Sequence, residues 1–405
     1  MKKILYLSYD GLTDPLGRSQ IIPCLTGLAQ RGYDITIISA EKPSSYAVYQ
    51  DRVQNLLAQH AVRWVPLFYQ NKPKGLASLA TLYMLYKAAR RVCVTSRPNI
   101  IHGRSYPATY VGMLLKKQFR MPLVFDMKGF WVDERVDGNI WDLRWPHYRW
   151  AYAWGKRQER AMLSQADAVV SVSQKAIPVL LSWRIPGLTE DKIFVVCSTA
   201  DFNHFKPVYN AQTVHQRKHE LNIPAQHKIV IYVGSLSTWY LPEQMLLFFK
   251  ILLQHQPDWT FLFVTQEPPS LIMHHAARLN IEPSRLKIIS ASYDEVPCWF
   301  NIADLSLFFI KPSFSKIASA PTKLAESLSM GLPVICNDIG DVRQIVESWG
   351  VGYVFKELSE STFRSAVQQI DRLLSLDHDY IRQRAFNTMH VSAAVAHYHH
   401  IYQKL

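Results

Sequence analysis

The sequence predicts an α/β protein made of two Rossmann-like parallel-sheet domains that face a central cleft. Three observations predict this fold class: the 405 residues exceed one ordinary core, short β-branched runs alternate with helix-like stretches, and the alternation occurs twice. With 48% apolar and 19% charged residues, the composition is that of a globular chain with a large core.

The first set of elements begins at the N-terminus. Ile4–Ser8 is predicted to be a strand, Ser19–Arg31 a helix and Ile35–Ser39 a second strand, which together make a βαβ unit. Further buried strands are predicted at residues 100–101, 123–125 and 168–172. The apolar run at 194–196 then gives way to a polar segment, so we place the first domain at residues 1–205.

A second set of elements repeats the pattern. A helix is predicted at 243–254, and the strands at 228–234, 260–265, 286–289, 305–310 and 333–336. We place the second domain at 206–380 and a C-terminal helix at 381–405, packed back on the first domain. Consecutive histidines on a helix, such as His399 and His400, point in different directions, which favours a packed helix over a metal cluster there.

The net charge of +13 and the pI near 9.4 call for an acidic partner: nucleic acid, anionic lipid headgroups or a phosphorylated small molecule. The basic residues form no dense block, and no zinc-finger, homeodomain or RNP-type motif occurs. We therefore predict that nucleic acid is not a partner. The five cysteines include no CxxC pair, which favours buried thiols in a reducing cytoplasm.

The sequence predicts a cytoplasmic protein. The N-terminal apolar run ends at Asp10 without a cleavage site, and Leu76–Tyr86 is too short to span a bilayer. Residues 72–97 read as a basic, apolar helix, which is either an ordinary domain helix or a peripheral contact with the anionic inner face of the cytoplasmic membrane.

One segment, residues 311–341, reads KPSFSKIASAPTKLAESLSMGLPVICNDIGD. It has the order of a strand end, a basic loop, a helix, a Gly/Pro turn and a strand. Free N–H groups at a helix start near Lys323, with lysines on either side, are suited to a diphosphate. Glu326, in the first turn, is placed to accept hydrogen bonds from two ribose hydroxyls.

Within that segment, PTKLAESLSMGLPVI resembles the nucleotide-sugar signature of the retaining GT-B glycosyltransferases of family 4 (glycosyl transferases group 1). Glu326 falls on the second Glu of that family's E-x7-E motif, and Ala318 occupies the position of the first. In this respect the chain resembles a subgroup with a SxPTK loop. Ser235 and aromatic residues also replace the usual basic residues after the first strand of the second domain.

The resemblance implies that residues 1–205 form the acceptor-side domain and residues 206–380 the nucleotide-sugar (donor) domain, and it implies the donor site. Because the usual cations are missing, Lys316 and Lys323 are the candidates to neutralise the departing diphosphate. Gly17, in the first loop, is either close to the donor phosphates or simply a turn residue. The predicted donor-binding residues are Gly17, Gly234, Ser235, Lys316, Ser319, Thr322, Lys323, Leu324 and Glu326.

The resemblance also suggests catalytic and acceptor residues. Lys128 lies near the position of a family histidine, and the predicted catalytic residues are Lys128, Asp126 and Lys316. Asp126 and Lys128 equally suit a structural ion pair. The predicted acceptor-binding residues are Arg104, Trp131, Asp133, Glu134 and Arg135, for which an ordinary surface loop is the alternative.

The resemblance implies retaining transfer of a hexose-type sugar from a nucleotide sugar to a glycan or lipid-linked acceptor. The pathway expected for such an enzyme is cell-envelope or extracellular polysaccharide biosynthesis, including that of lipopolysaccharide. The resemblance implies no cofactor and no metal, the nucleotide sugar being a substrate. Two alternatives stay open: a sugar-nucleotide epimerase on the same fold, and a non-catalytic glycan-binding scaffold.

Overall fold

The computed structural model describes residues 1–69, 76–208, 210–236 and 238–405, and the side chain of Leu76 is left out. The chain divides into two compact units. The first comprises Met1–Ser198, Phe314–Ser319 and Val391–Leu405; the second comprises Thr199–Ser313 and Ala320–His390. Two short segments that are distant in sequence thus join the N-terminal residues, which no simple cut of the sequence anticipates.

The first unit contains a seven-stranded, wholly parallel sheet in the order β3-β2-β1-β4-β5-β6-β7. The strands are β1 (Lys3–Ser8), β2 (Asp34–Glu41), β3 (Arg63–Phe68), β4 (Ile100–Arg104), β5 (Leu123–Asp126), β6 (Ala168–Ser171) and β7 (Ile193–Val195). Alternate residues supply two cores, as expected for a sheet covered on both faces: Leu5 and Leu7 belong to one core, Ile4 and Tyr6 to the other.

Helices cover both faces of this sheet. They are α1 (Ile22–Gln30), α2 (Pro43–Gln59), α3 (Leu76–Ser96), α4 (Ser105–Phe119), α5 (Trp131–Asp137), α6 (Pro146–Gln165), α7 (Ala176–Ser182) and α17 (Val391–Lys404). α1, α2 and α17 contribute to the core that contains Tyr6, and α3, α4 and α6 contribute to the core that contains Leu7. A five-residue π-helical turn, Gly17–Ile21, precedes α1, so the helix predicted from Ser19 is irregular at its start.

The second unit repeats the architecture with six parallel strands in the order β10-β9-β8-β11-β12-β13. They are β8 (Lys228–Val233), β9 (Trp259–Val264), β10 (Leu286–Ile289), β11 (Leu305–Phe308), β12 (Val334–Asn337) and β13 (Gly352–Phe355). The helices are α8 (Ala211–Glu220), α9 (Pro242–His255), α10 (Pro269–Arg278), α11 (Val296–Phe300), α12 (Thr322–Ser329), α13 (Val342–Trp349), α14 (Glu360–Val367), α15 (Ile370–Leu374) and α16 (His378–Met389). The predicted fold class of two parallel-sheet α/β domains is confirmed.

Sequence patterns missed three strands, β3, β7 and β13, and all three lie at sheet edges. β3 contains Pro66, paired with Ser39; proline cannot donate a ladder hydrogen bond, so it is tolerated only at such an edge. β7 has only three residues, and β13 begins at Gly352, a residue type that is depleted in strands.

The stretch predicted as one C-terminal helix, 381–405, contains the end of α16 and all of α17. His390 lies between them, in extended conformation with ψ 146°. α16 belongs to the second unit and α17 to the first, where it packs on α1.

In each sheet the strand order reverses once, between β1 and β4 and between β8 and β11. Loops from the carboxyl ends of these neighbouring strands diverge to opposite faces of the sheet and leave a crevice for ligands. The residues that follow β1, β4, β8 and β11 are therefore the places to look for a site.

Candidate functional site

The loop after β1 is held by a buried carboxylate at the end of β2. Glu41 accepts hydrogen bonds from the backbone N–H of Leu12 (2.8 Å) and Thr13 (3.0 Å) and from the Thr13 hydroxyl (2.5 Å). A Cβ on Gly17 would overlap the Gly11 carbonyl oxygen and lie 2.6 Å from the Leu12 Cα. Glycine is thus needed at position 17 for close backbone packing, and its predicted nearness to donor phosphates stays a prediction.

The ends of β4 and β5 bring together a buried cluster of charged and polar side chains. Asp126 is fully buried; its Oδ1 lies 3.1 Å from Lys128 Nζ and its Oδ2 lies 3.4 Å from His102 Nε2. The Tyr398 hydroxyl, from α17, donates to Asp126 at 3.0 Å. The ion pair between Asp126 and Lys128, one of the two alternatives from the sequence, is therefore present.

His102 is fixed on every side. Its Nδ1 lies 2.7 Å from the hydroxyl of Tyr402, also on α17, and its ring stacks on Tyr6 with centroids 4.3 Å apart. Burial lowers the pKa of His102, although Asp126 opposes this, so the ring is neutral at pH 7. In that form one ring nitrogen donates and the other accepts.

The charges in this cluster are set by a balance between burial and neighbours. Burial alone would raise the pKa of Asp126, but Lys128, His102 and Arg104 outweigh it and hold the pKa well below the usual range. Burial lowers the pKa of Lys128, and Asp126 opposes that shift. Lys128 also has a left-handed backbone (φ 53°), a conformation that is uncommon outside glycine and clusters at functional sites.

Arg104 links the two loops at the point where the strand order reverses. Its Nε lies 3.6 Å from Asp10 Oδ2, after β1, and its NH1 lies 3.8 Å from Asp126 Oδ2, after β5. Arg104 is 5% exposed. It was predicted to bind the acceptor, and the structure places it where it orients the loop carboxylates.

The other predicted acceptor residues lie on α5. Asp133 is buried and accepts from the Tyr152 hydroxyl and Lys156 Nζ, both at 2.9 Å. The Arg135 guanidinium lies 4.5 Å from the centre of the Trp131 ring. Asp133 is thus neutralised inside the unit, and a direct acceptor role for these residues stays a prediction.

Glu134, on the same helix, is paired with Lys316, so a predicted acceptor residue meets a predicted catalytic one. Lys316 Nζ lies 2.5 Å from Glu134 Oε1, and the lysine side chain is 8% exposed. Lys316 therefore neutralises Glu134, and the second role predicted for it, binding the donor diphosphate, is untested.

Residues 314–319, which include Lys316, are bound to the first unit by further contacts. The backbone N–H of Ser315 donates to Asp137 (2.8 Å), and the Ser173 hydroxyl donates to the Ile317 carbonyl (2.9 Å). Ala318 is 4% exposed and lies in the core. A Cβ on Gly129 would lie 2.9 Å from the Ala318 carbonyl oxygen, so this segment is closely packed and position 318 suits a small apolar residue.

In the second unit, α12 begins at Thr322 with Pro321 as N-cap, and no side chain caps its first N–H groups. Glu326, one turn further on, is half-buried, and burial raises its pKa, partly opposed by Lys323. Within the described residues, nothing is hydrogen-bonded to its carboxylate. Leu324 is a buried core residue, and Thr322 is half-buried.

The Lys323 side chain lies across the loop that follows β8. Its ammonium is 4.3 Å from the centre of the Tyr240 ring and 5.1 Å from that of Tyr232. Gly234, with φ 115°, makes room for it, because a Cβ there would overlap Nζ. No carboxylate in the described parts of the chain comes within 4.0 Å of this ammonium. The Lys323 ammonium therefore lies at the loop where Ser235 replaces the expected basic residue. The Ser235 hydroxyl donates a hydrogen bond to Glu267 at 2.8 Å.

Reasoning from sequence missed three residues of the buried cluster, namely His102, Tyr398 and Tyr402. The sequence predicted a packed C-terminal helix, but nothing in it showed what Tyr398 and Tyr402 contact. His399 and His400 have separate partners, Tyr33 and Phe194. The sequence also contains an Asp-x-Asp triplet, Asp377–Asp379. Asp377 caps α16 by accepting a hydrogen bond from the Asp379 backbone N–H at 2.8 Å.

Comparison with known proteins identifies the class. Residues 24–186 match the family described as glycosyl transferase 4-like domain, and residues 214–386 match glycosyl transferases group 1. The two matches fall one in each half of the chain. The chain is therefore a glycosyltransferase of the GT-B type.

Two curated relatives, both D-inositol 3-phosphate glycosyltransferases, are similar over most of the chain. The one from Thermobispora bispora is 22% identical over 309 residues, 71% of this chain and 67% of the relative. The one from Corynebacterium glutamicum is 23% identical over 376 residues, 90% of this chain and 84% of the relative.

Solved structures show the same fold. Anabaena HepE in complex with UDP and glucose has a TM-score of 0.67 at 17% identity and full coverage of both chains. Sucrose-phosphate synthase from Thermosynechococcus elongatus has 0.69 at 16% identity, covering 100% of this chain and 99% of that one. A putative UDP-N-acetylglucosamine 2-epimerase from Listeria monocytogenes has 0.56 at 11% identity, covering 98% and 94%.

Proposed function

We propose that this glycosyltransferase moves a hexose-type sugar, with retention, from a nucleotide sugar to a glycan or lipid-linked acceptor in cell-envelope polysaccharide or lipopolysaccharide biosynthesis. The observation that carries the proposal is the pairing of Glu326 and Lys323 one turn apart on α12. One supplies a half-buried carboxylate without a hydrogen-bond partner among the described residues, and the other supplies a cation over the β8 loop.

The two groups suit the two ends of a nucleoside diphosphate. A carboxylate accepts two hydrogen bonds from the vicinal hydroxyls of a ribose, and an ammonium beside free helix N–H groups binds a diphosphate. Lys323 then stabilises the negative charge that builds on the leaving group. HepE, a protein of the same fold, binds UDP, which supports a nucleotide sugar as the donor class.

In the proposed reaction, the bond between the anomeric carbon and the diphosphate oxygen breaks while a bond to the acceptor hydroxyl oxygen forms on the same face. The acceptor proton passes to a phosphate oxygen of the leaving group, so no protein base is required. We propose that Asp126 and Lys128 contribute a fixed, ionised pair that orients sugar hydroxyls. The donor's charge is balanced by Lys323 and helix N–H groups, and chelation with EDTA should leave turnover unchanged.

We also propose that the enzyme acts on the cytoplasmic side and contacts an anionic membrane through residues 72–97. Residues 72–75 lie outside the described part of the chain, and the remainder is α3 with Arg97. In the described residues, no helix is both long and apolar enough to cross a bilayer. Equal partitioning of wild type and an Arg90→Glu/Arg91→Glu variant between anionic vesicles and buffer would contradict this contact.

The donor site is tested by thermal shift and transfer. Wild-type protein is screened with UDP, GDP, ADP and their sugars, because a ligand that binds only the folded state raises the melting temperature. We expect one base to stabilise the protein, and Glu326→Ala to abolish most of that shift and of the transfer. Glu360→Ala, on α14, is the matched control because Glu360 is exposed and only loosely paired with Arg364.

The same assay separates the alternatives. An epimerase interconverts free sugar nucleotides without any acceptor, and a non-catalytic scaffold leaves the donor intact. Unchanged nucleotide binding and turnover in Glu326→Ala would show that the donor site lies elsewhere.

A further inference from the structure

One outer face of the first unit is rich in basic side chains, one of which, Lys116, is paired with Asp167. It is formed by α3, α4 and α6, which pack side by side over the core that contains Leu7. These helices contain nine lysines and arginines and one acidic residue, Glu159, which is buried and paired with Lys156. The nine are Lys87, Arg90, Arg91, Lys116, Lys117, Arg149, Lys156, Arg157 and Arg160. We refer to this surface, the outer sides of α3, α4 and α6, as the basic face.

Large apolar side chains project from the basic face. On α6, Trp150 is 70% exposed and Trp154 is 44% exposed, and their rings stack with centroids 6.5 Å apart. Arg157 lies on the same side of the helix, three residues further on. On α3, Leu79 and Tyr83 are 61% and 65% exposed. Exposure of this size costs solubility, so a patch that combines tryptophan with arginine indicates a binding surface.

A small pocket opens between these helices. Its volume is about 110 Å³, and it is lined by Leu82, Tyr110, Trp131, Val132, Trp154 and Met162, which come from α3, α4, α5 and α6. Pockets for drug-sized ligands measure about 300–1,000 Å³, so this one is too small for a sugar nucleotide. An apolar lining without a convergent set of polar groups suits the end of a hydrocarbon chain.

We propose that the basic face binds the surface of an anionic lipid bilayer, with Trp150 and Trp154 at the level of the headgroups and Arg90 and Arg157 on lipid phosphates. Tryptophan favours that interface because its ring is apolar and its N–H is polar. Each basic residue near an anionic leaflet contributes on the order of 1 kcal/mol in general, which makes several together effective.

The apolar residues decide between this partner and nucleic acid. Nucleic acid would use the arginines for its phosphates and the aromatic rings for its bases, whereas exposed Leu79 and the apolar pocket have no role in that contact. The inference deepens the proposed function, because it places a lipid-linked acceptor at the same surface. Vesicle binding can be measured without glycosyl transfer, so the two proposals are tested separately.

Co-sedimentation of the full chain with vesicles tests the proposal. We expect binding to vesicles of equal parts phosphatidylglycerol and phosphatidylcholine, weak binding to phosphatidylcholine alone, and release by salt. The double variant Trp150→Ala/Trp154→Ala and the double variant Arg90→Glu/Arg157→Glu should each reduce the partition coefficient at least about tenfold. Lys356→Glu/Arg372→Glu, with the same change of charge in the second unit, should stay within about twofold of wild type.

A thermal shift with the nucleotide found in the donor screen shows that each variant is folded, without relying on transfer. Equal partitioning of wild type and Trp150→Ala/Trp154→Ala would overturn the proposal. So would preferential binding of the basic face to a single-stranded RNA, or a tryptophan variant that loses self-association and keeps vesicle binding. If no nucleotide stabilises the protein but the vesicle results hold, the proposed function fails and the membrane surface stands.

Discussion

The role that a charged side chain can have in this protein depends on the groups that surround it. Two lysines predicted to do the same work differ in this respect. Lys316 is buried and paired with Glu134 at 2.5 Å, whereas the Lys323 ammonium lies over two tyrosine rings with no described carboxylate within 4.0 Å. A cation that is not neutralised by a carboxylate is available to a diphosphate. We therefore expect replacement of Lys323 to lower nucleotide affinity and replacement of Lys316 to lower stability.

Lys323→Ala should weaken binding of the nucleoside diphosphate by about 10- to 100-fold, because a hydrogen bond to a charged group is worth about 1.5–3 kcal/mol. The melting temperature without ligand should change little. Isothermal titration calorimetry with the nucleotide and a thermal melt give the two readouts.

Lys316→Ala is the contrasting change. It leaves Glu134 without its cation and should lower stability by about 1–3 kcal/mol, with a smaller effect on nucleotide affinity. If both variants lost nucleotide affinity equally and neither lost stability, the assignment of Lys323 alone to the donor would be wrong.

At the scale of elements, α17 completes the charged cluster of a sheet that precedes it by almost the whole chain. Tyr398 donates to Asp126, and Tyr402 lies 2.7 Å from His102. The sequence predicted the helix and its packed character, because consecutive histidines on a helix point in different directions. It did not predict the hydrogen-bond partners, because a hydroxyl's partner depends on tertiary position and leaves no periodic pattern.

Tyr402→Phe removes the hydroxyl and leaves a buried imidazole nitrogen without a partner. We expect a loss of about 1–3 kcal/mol in the free energy of unfolding, since the desolvation of that nitrogen is no longer compensated. Tyr380→Phe, on the neighbouring α16, is the control; Tyr380 is 39% exposed and water can replace its bond to the Trp349 carbonyl. Urea denaturation of both variants measures the difference, and equal losses would contradict the role given to Tyr402.

At the scale of the whole molecule, the fold was predictable and much of the site was not. Central strands such as β1 and β9 were found within a residue of their true bounds, because buried parallel strands are continuous apolar runs. Glu326 and the start of α12 were found because a helix N-terminus after a loop of small residues has a local signature. The pairing of Lys316 with Glu134 joins positions 182 residues apart, which no local pattern encodes.

The stability that three histidines contribute should fall on mild acidification. Burial lowers the pKa of three histidines, His102 in the first unit and His227 and His390 in the second. Each then binds fewer protons when folded than when unfolded, so its contribution is present above the unfolded pKa of about 6.5 and is lost as pH falls from there toward the folded pKa. The depressed pKa of Asp126 acts in a separate window, below about pH 4.

We therefore expect the urea midpoint of wild type to fall further between pH 7.5 and pH 5.5 than that of His102→Gln. Burial raises the pKa of Glu159, Asp304 and Glu326, which opposes the histidines over the same range, so the comparison between variants isolates His102. His219→Gln, an exposed histidine on α8, should match wild type. Equal pH dependence of His102→Gln and wild type would show that His102 is protonated equally in both states.

The position of α17 at the end of the chain affects the order in which the protein folds during synthesis. Residues 391–405 follow the entire second unit, yet they belong to the first. On the ribosome, the first sheet emerges early, with Asp126 and His102 still lacking the hydroxyls of Tyr398 and Tyr402. The N-terminal half therefore cannot reach its final state until translation has passed residue 402. Release of α17 from the exit tunnel should be the event that locks the cluster, and a nascent chain arrested before that point should expose it to solvent.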